Sequence, residues 1–147
     1  MIYINQGQQN TPAAVCSRNT TLTGTVYYLW SLYHKLSGQR WYVIPFRLQP
    51  TVSYPPSYDV FCVNLDDAIS PFLTGSTQCG QTNVHLIPGE YTLQIYQQNS
   101  NSNLDVSLSG GMIYTTLLNV VGENQNIPTT YSGNGQSTYI IYNPNND

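Results

Sequence analysis

The side chains able to do acid–base, nucleophilic or metal chemistry are few and scattered. Two histidines, His34 and His85, and three cysteines, Cys16, Cys62 and Cys79, are the obvious candidates. A histidine-based triad needs a nucleophile and an orienting carboxylate beside the imidazole. Neither histidine sits in a motif that supplies them, so both read as structural, with His85 in mid-strand. Asp66 and Asp67 form an adjacent carboxylate pair. No alternating ladder of acids follows them, as an EF-hand calcium loop requires, and the pair reads as a solvated turn. The cysteines show no C-x-x-C spacing, which leaves zinc and thioredoxin-like chemistry without support. Three cannot all pair within one chain. They are expected as free thiols, buried as small hydrophobes, with a Cys62–Cys79 bond left open for an oxidising medium. Ser109-Gly110-Gly111 and Ser132-Gly133-Asn134-Gly135 lack the lysine and the helix of a phosphate-binding loop and read as turns. Asn19-Thr20-Thr21 matches the glycosylation triplet, which has meaning only in a secreted chain. The residues therefore point to no enzyme: no catalytic residue, no cofactor and no metal ligand is expected.

What these side chains would sit on is clearer. The stretch Leu86-Ile87-Pro88-Gly89-Glu90-Tyr91-Thr92-Leu93-Gln94-Ile95-Tyr96-Gln97-Gln98 reads as a turn and then a strand, because Tyr91, Leu93 and Ile95 alternate with Thr92, Gln94 and Tyr96. Residues 99–103, all Asn and Ser, form a polar loop behind it. Upstream, residues 2–5 read as a first strand, broken by Gly7 and Asn10-Thr11-Pro12 before residues 13–16 resume it as an edge. In residues 25–35, Val26, Tyr28, Trp30 and Leu32 fall on one face and Tyr27, Leu29 and Tyr33 on the other. With both faces apolar, this strand is either central and covered twice or has its second face against a partner. Ser37-Gly38 turns the chain, and residues 40–48 are expected to run back as the hairpin partner, with Pro45 marking an edge or a bulge. Residues 49–57 read as an extended proline loop, 58–64 as a strand, 65–73 as containing at most one helical turn, and 82–87 as a short strand. Residues 112–121 form the longest late strand; 124–136 are a mobile polar segment and 138–142 a closing strand before a disordered tail. The expected fold is a single all-β domain over residues 1–147, an antiparallel, Ig-like β-sandwich of about seven to nine strands with a flexible polar C-terminal segment.

Composition narrows the partners. Asp, Glu, Lys and Arg make up 7% of the 147 residues, against about 25% in ordinary soluble domains. The net charge is −3 and there are only four basic residues, Arg18, Lys35, Arg40 and Arg47. That excludes the basic patch of direct nucleic-acid binding. No stretch approaches a membrane span, and the N-terminus has neither a basic nor an apolar signal region, so cytoplasmic synthesis is expected. Thirteen tyrosines supply large contact area with a polar tip, a property shared by half-buried sheets and by interfaces. A surface so weakly charged suits a protein that works inside an assembly.

The opening Met1-Ile2-Tyr3-Ile4-Asn5-Gln6-Gly7, the Tyr28-Leu29-Trp30 strand with its Ser37-Gly38 turn, and the run Pro88-Gly89-Glu90-Tyr91 to Gln97-Gln98 followed by Ser102-Asn103-Leu104-Asp105 resemble a family of small virion proteins of crAss-like tailed bacteriophages. Val120-Val121-Gly122 and residues 139–143 fit as well. Where family members carry a charged Glu-x-Gly before the penultimate strand, this chain reads Tyr114-Thr115-Thr116-Leu117. The resemblance implies an Ig-like sandwich in the virion, assembled in the host cytoplasm, that decorates or stabilises the capsid as an auxiliary capsid protein or anchors a head fibre. Its partners would be the major capsid protein or other virion proteins, with self-association or multiple copies per particle; it carries over no catalytic residue. Tyr27, Leu29, Tyr33, Tyr96 and Tyr114 are the candidate contact residues, together with side chains of residues 112–121. Three rival readings remain: a collar or tail component, a glycan-binding module that would need Trp30 and Trp41 exposed where they are expected in the core, and a hydrolase with a pocket at His34 or His85.

Overall fold

Alternation in the sequence becomes a layered structure in the computed structural model, which describes residues 1–48, 58–65, 72–73 and 83–122. The strands are β1 (Ile2–Asn5), β2 (Gln9–Asn10), β3 (Ala13–Ala14), β4 (Tyr27–His34), β5 (Arg40–Val43), β6 (Phe46–Leu48), β7 (Asp59–Leu65), β8 (Phe72–Leu73), β9 (Asn83–Val84), β10 (Gly89–Gln98) and β11 (Met112–Val121). Among the described residues the helical content is two single 3-10 turns, Ser17–Asn19 and Val106–Leu108.

The first sheet has six strands in the order β1-β11-β10-β4-β5-β8. Its middle strand, β10, is the alternating stretch singled out in the sequence, antiparallel to β11 on one side and β4 on the other. Tyr91, Leu93 and Ile95 point inward and are fully buried. The second sheet is built around β7. β2 and β3 share one side of it, with Pro12 between them, and β6 and β9 share the other. Pro12 has no N–H to donate, yet its carbonyl still accepts from Phe61 N at 2.9 Å, so a broken edge keeps its ladder. Among the described residues the eleven segments thus fill nine lanes, a β-sandwich of the expected size. The long pairings are antiparallel, and β1–β11, β5–β8 and β7–β9 are parallel.

Two expectations change. Residues 40–48 do not run as one strand: β5 pairs with β4 in the first sheet, whereas β6 pairs with β7 in the second. Ile44-Pro45 carries the chain between layers, where a residue without an N–H interrupts no ladder. Of the described residues 83–87, Asn83–Val84 pair as strand and the other three do not. The expected proline loop, most of the helical turn at 65–73, and the C-terminal loop, strand and tail fall on residues 49–57, 66–71 and 123–147, outside the described residues.

Between the sheets lie Ile4, Tyr28, Trp30, Leu32, Trp41, Val43, Phe61, Val63, Leu93, Ile95, Leu118 and Val120. Both tryptophans are in this core, as their strand patterns indicate. Phe61 on β7 meets the edges of Trp30 and Tyr28 at centroid separations of 5.1 and 5.7 Å, which ties the layers together. Each such fully buried side chain contributes about 1.5–3 kcal/mol. At the start of β10 the Tyr91 hydroxyl donates to the Ile87 carbonyl at 2.6 Å. This bond from a strand-start tyrosine back to the chain just upstream fixes where the chain enters the sheet. Burial pushes the Tyr91 phenol well above its ordinary range, although the Ile87 bond opposes the shift.

Candidate interaction face

Because the side chains of a strand alternate, fixing the core face fixes the outer face of the six-stranded sheet. β10 presents Glu90, Thr92, Gln94 and Tyr96 outward; β4 presents Tyr27, Leu29, Ser31 and Tyr33; β5 presents Arg40 and Tyr42. β11 and β1 add Thr115, Leu117, Asn119 and Tyr3. Register sets these in rows. Leu117, Thr92, Tyr33 and Arg40 form one, and Thr115, Gln94, Ser31 and Tyr42 the next. Tyr3 is 64% exposed, Met112 50%, and Tyr33 and Leu117 37% each. Among the described residues the charges on this face are Arg40 and, at its margin, the Lys35–Glu90 pair at 3.2 Å, a solvated contact of at most about 1 kcal/mol.

The candidate contact residues are divided by this geometry. Tyr33, Tyr96 and Tyr27 lie on the outer face, Tyr33 exposed and the other two half-buried. Leu29 has the right parity but is fully buried, so it offers no surface to a partner. Tyr114 stands opposite Ile95 and packs against the core. Its aromatic character fits an interface, but register puts it on the inner side. Tyr3 and Arg40 belong to the outer face and were not foreseen. Alternation of Tyr3 with Ile2 and Ile4 carries that signal for the first; nothing local carries it for the second.

His34, Asp59 and Cys16 are each built into the packing of the fold. His34 is buried with its ring 4.7 Å from that of Tyr91. Its Nδ1 accepts from Ser37 N at 3.1 Å and lies 2.8 Å from Ser37 Oγ, closing the hairpin turn. Asp59 is buried and accepts from Cys16 N at 3.0 Å, Ser17 N at 2.6 Å and the Ser17 hydroxyl, and it pairs with Arg47 at 2.6 Å. Arg47 also lies over the Tyr28 ring, with its carbon 5.6 Å from the centroid. This cluster anchors the 3-10 turn to β6 and β7. Burial, reinforced by the Asp59 charge and opposed by Arg47, pushes the Cys16 thiol up to about 12, which makes it inert as a nucleophile at neutral pH. Cys62, expected as a free thiol, is disulfide-bonded. A bond from Cys62 to Cys79 was left open for an oxidising medium; Cys79, like the Asp66-Asp67 pair, lies outside the described residues. Among the described residues no group of His, Cys, Asp and Glu is arranged to hold a metal ion, and no helix is long and apolar enough to cross a membrane.

One open cleft of about 550 Å³ lies where Leu22 meets the polar loop, lined among others by Gln98, Asn99, Asn103 and Leu108. Its amides are occupied in holding the loop. Asn103 Nδ2 donates to Gln98 Oε1 at 2.9 Å, Gln98 Nε2 donates to the Asn103 carbonyl at 3.0 Å, and Asn99 Nδ2 reaches the carbonyls of Thr23 and Thr25. Comparison with protein-family models, curated proteins and solved structures finds no match to the chain.

Proposed function

We propose that this chain is a non-enzymatic structural component of a tailed-phage virion, seated by the outer face of its six-stranded sheet on the major capsid protein or another virion protein. The location that fits the sequence resemblance is the capsid surface or the base of a head fibre. The observation that carries this reading is the composition of that face: Tyr3, Tyr33, Met112 and Leu117 exposed, Thr and Gln between them, and, among the described residues, charge confined to Arg40 and the marginal Lys35–Glu90 pair. Exposed tyrosine and apolar side chains with few charges describe the centre of a protein interface better than a solvated sheet. On a repeating shell, modest affinity at each site adds through multivalency, and binding to the assembled lattice stabilises it by mass action. The competing glycan reading relied on Trp30 and Trp41, which are buried.

The test is a density map of intact particles at side-chain resolution, combined with particles carrying Tyr33→Glu. This reading expects the chain repeated on the head with its outer face against a neighbour, and exclusion of the Tyr33→Glu chain. A chain absent from particles overturns it.

A further inference from the structure

We infer that Arg40 is the polar anchor of the outer face and that the partner surface seats one Asp or Glu carboxylate against it; this rests on the virion-interface reading above. Arg40 is exposed on β5, yet it is held in place. Its Nη1 donates to Ser31 Oγ at 2.9 Å and lies 3.4 Å from Gln94 Oε1, and its guanidinium carbon is 5.2 Å from the centroid of the Tyr33 ring. Gln94 Oε1 also accepts from the Tyr96 hydroxyl at 3.4 Å. Arginine in this setting is fixed by neutral acceptors and an aromatic face.

Two consequences follow from the bonding pattern. Both bonds use Nη1, so the Nε–H and Nη2 edge, the fork that matches a carboxylate in bidentate fashion, has no partner among the described residues. Second, the described ion pairs are Lys35–Glu90 and Arg47–Asp59, so Arg40 is the one uncompensated cation on this face among the described residues. An arginine already immobilised over an aromatic ring loses little further freedom on binding, and Arg beside Tyr is the composition of an interface hot spot. A single positive charge among Tyr, Leu and Thr is matched by one acidic side chain of a protein partner. A polyanion would need several cations there.

The test titrates purified chain onto particles made without it. Arg40→Gln is expected to raise the half-saturating concentration about thirtyfold, the loss that accompanies removal of one member of a hydrogen-bonded charge pair. Urea unfolding of the variant checks that it is folded. Arg40→Lys keeps the charge, and its amine provides a second measurement. Carbodiimide treatment of particles carrying it is expected to give an amide crosslink from position 40 to an Asp or Glu of a neighbouring virion protein. If Arg40→Gln binds like the parent while Tyr33→Glu does not, the carboxylate anchor is refuted and the interface reading stands. A position-40 amine that forms no crosslink also refutes the anchor. If the parent chain does not bind particles, both fall together.

Discussion

Replacing Gly89 by alanine isolates a contact that links two distant parts of the chain. Gly89 opens β10 with φ +140°, a conformation that side-chain-bearing residues rarely adopt. A β-carbon placed there would stand 2.5 Å from Nε2 and 3.3 Å from Cδ2 of His34. The imidazole has little room to retreat, since Ser37 holds Nδ1 and the ring lies against Tyr91. The backbone conformation alone costs about 1–3 kcal/mol, and overpacking a filled site adds about 1–3 kcal/mol. Gly89→Ala is therefore expected to lose about 3 kcal/mol, which at an m-value of about 2 kcal/mol/M lowers the urea midpoint by about 1.5 M. The measurement is equilibrium unfolding followed by tryptophan fluorescence, since Trp30 and Trp41 are both in the core. In a His34→Ala background the steric part is relieved, so the same substitution should cost at least about 1 kcal/mol less. A loss below about 1 kcal/mol in the parent would show that the site relaxes. An equal loss in both backgrounds would show that the imidazole is not what excludes the methyl group.

Other outcomes are equally specific. Asp59→Ala leaves the Arg47 charge and the Cys16 and Ser17 amides without their acceptor, and unfolding should show a loss of about 3–5 kcal/mol. Tyr91→Phe removes the bond to Ile87 and should cost about 1 kcal/mol with the fold intact by circular dichroism. Cys16 should resist iodoacetamide at pH 8 in the native chain and react on unfolding; because its folded pKa lies above the ordinary thiol value of 9.0, stability should fall as pH rises past that value. The Asp105 carboxylate is held below its ordinary value of 3.8 by bonds from the Ser107 side chain and amide. The cap is therefore complete above that pH and is lost only as pH falls through the lowered value, so the Ser107 amide resonance should titrate with a midpoint under 3.8.

Period-two alternation was enough to place β1, β4, β7, β10 and β11, because each has one face of Val, Ile, Leu or aromatics. It was not enough at residues 40–48, where apolar side chains flank Pro45 on both sides and only the layers reveal that the chain changes sheet. For the outer face, alternation groups Leu29 with Tyr33 but does not tell which of them other side chains cover. The face on which Tyr114 lies is set by its pairing with Ile95, next to the register shift between Ile95 and Tyr96, and no alternation within β11 alone carries that. The His34–Gly89 contact, the Arg47–Asp59 pair and the Arg40–Gln94 contact join residues far apart in the sequence, and no local pattern encodes them. The disulfide at Cys62 was left open for the same reason.

The parallel pairing of β1 with β11 also governs how the molecule bears load. Ile2 stands opposite Leu118 and Asn5 opposite Val121, and the Gln6 amide continues the ladder to the Val121 carbonyl at 2.9 Å. Tension applied before Ile2 and after Val121 pulls the two strands past each other along their length. Every bond of the ladder is then strained at once, whereas an antiparallel pair pulled from one end opens bond by bond. The Gln6 side chain, which donates to the Leu86 carbonyl at 2.6 Å, adds a lateral tether at the end of this clamp. Load along that axis is thus shared by the whole ladder.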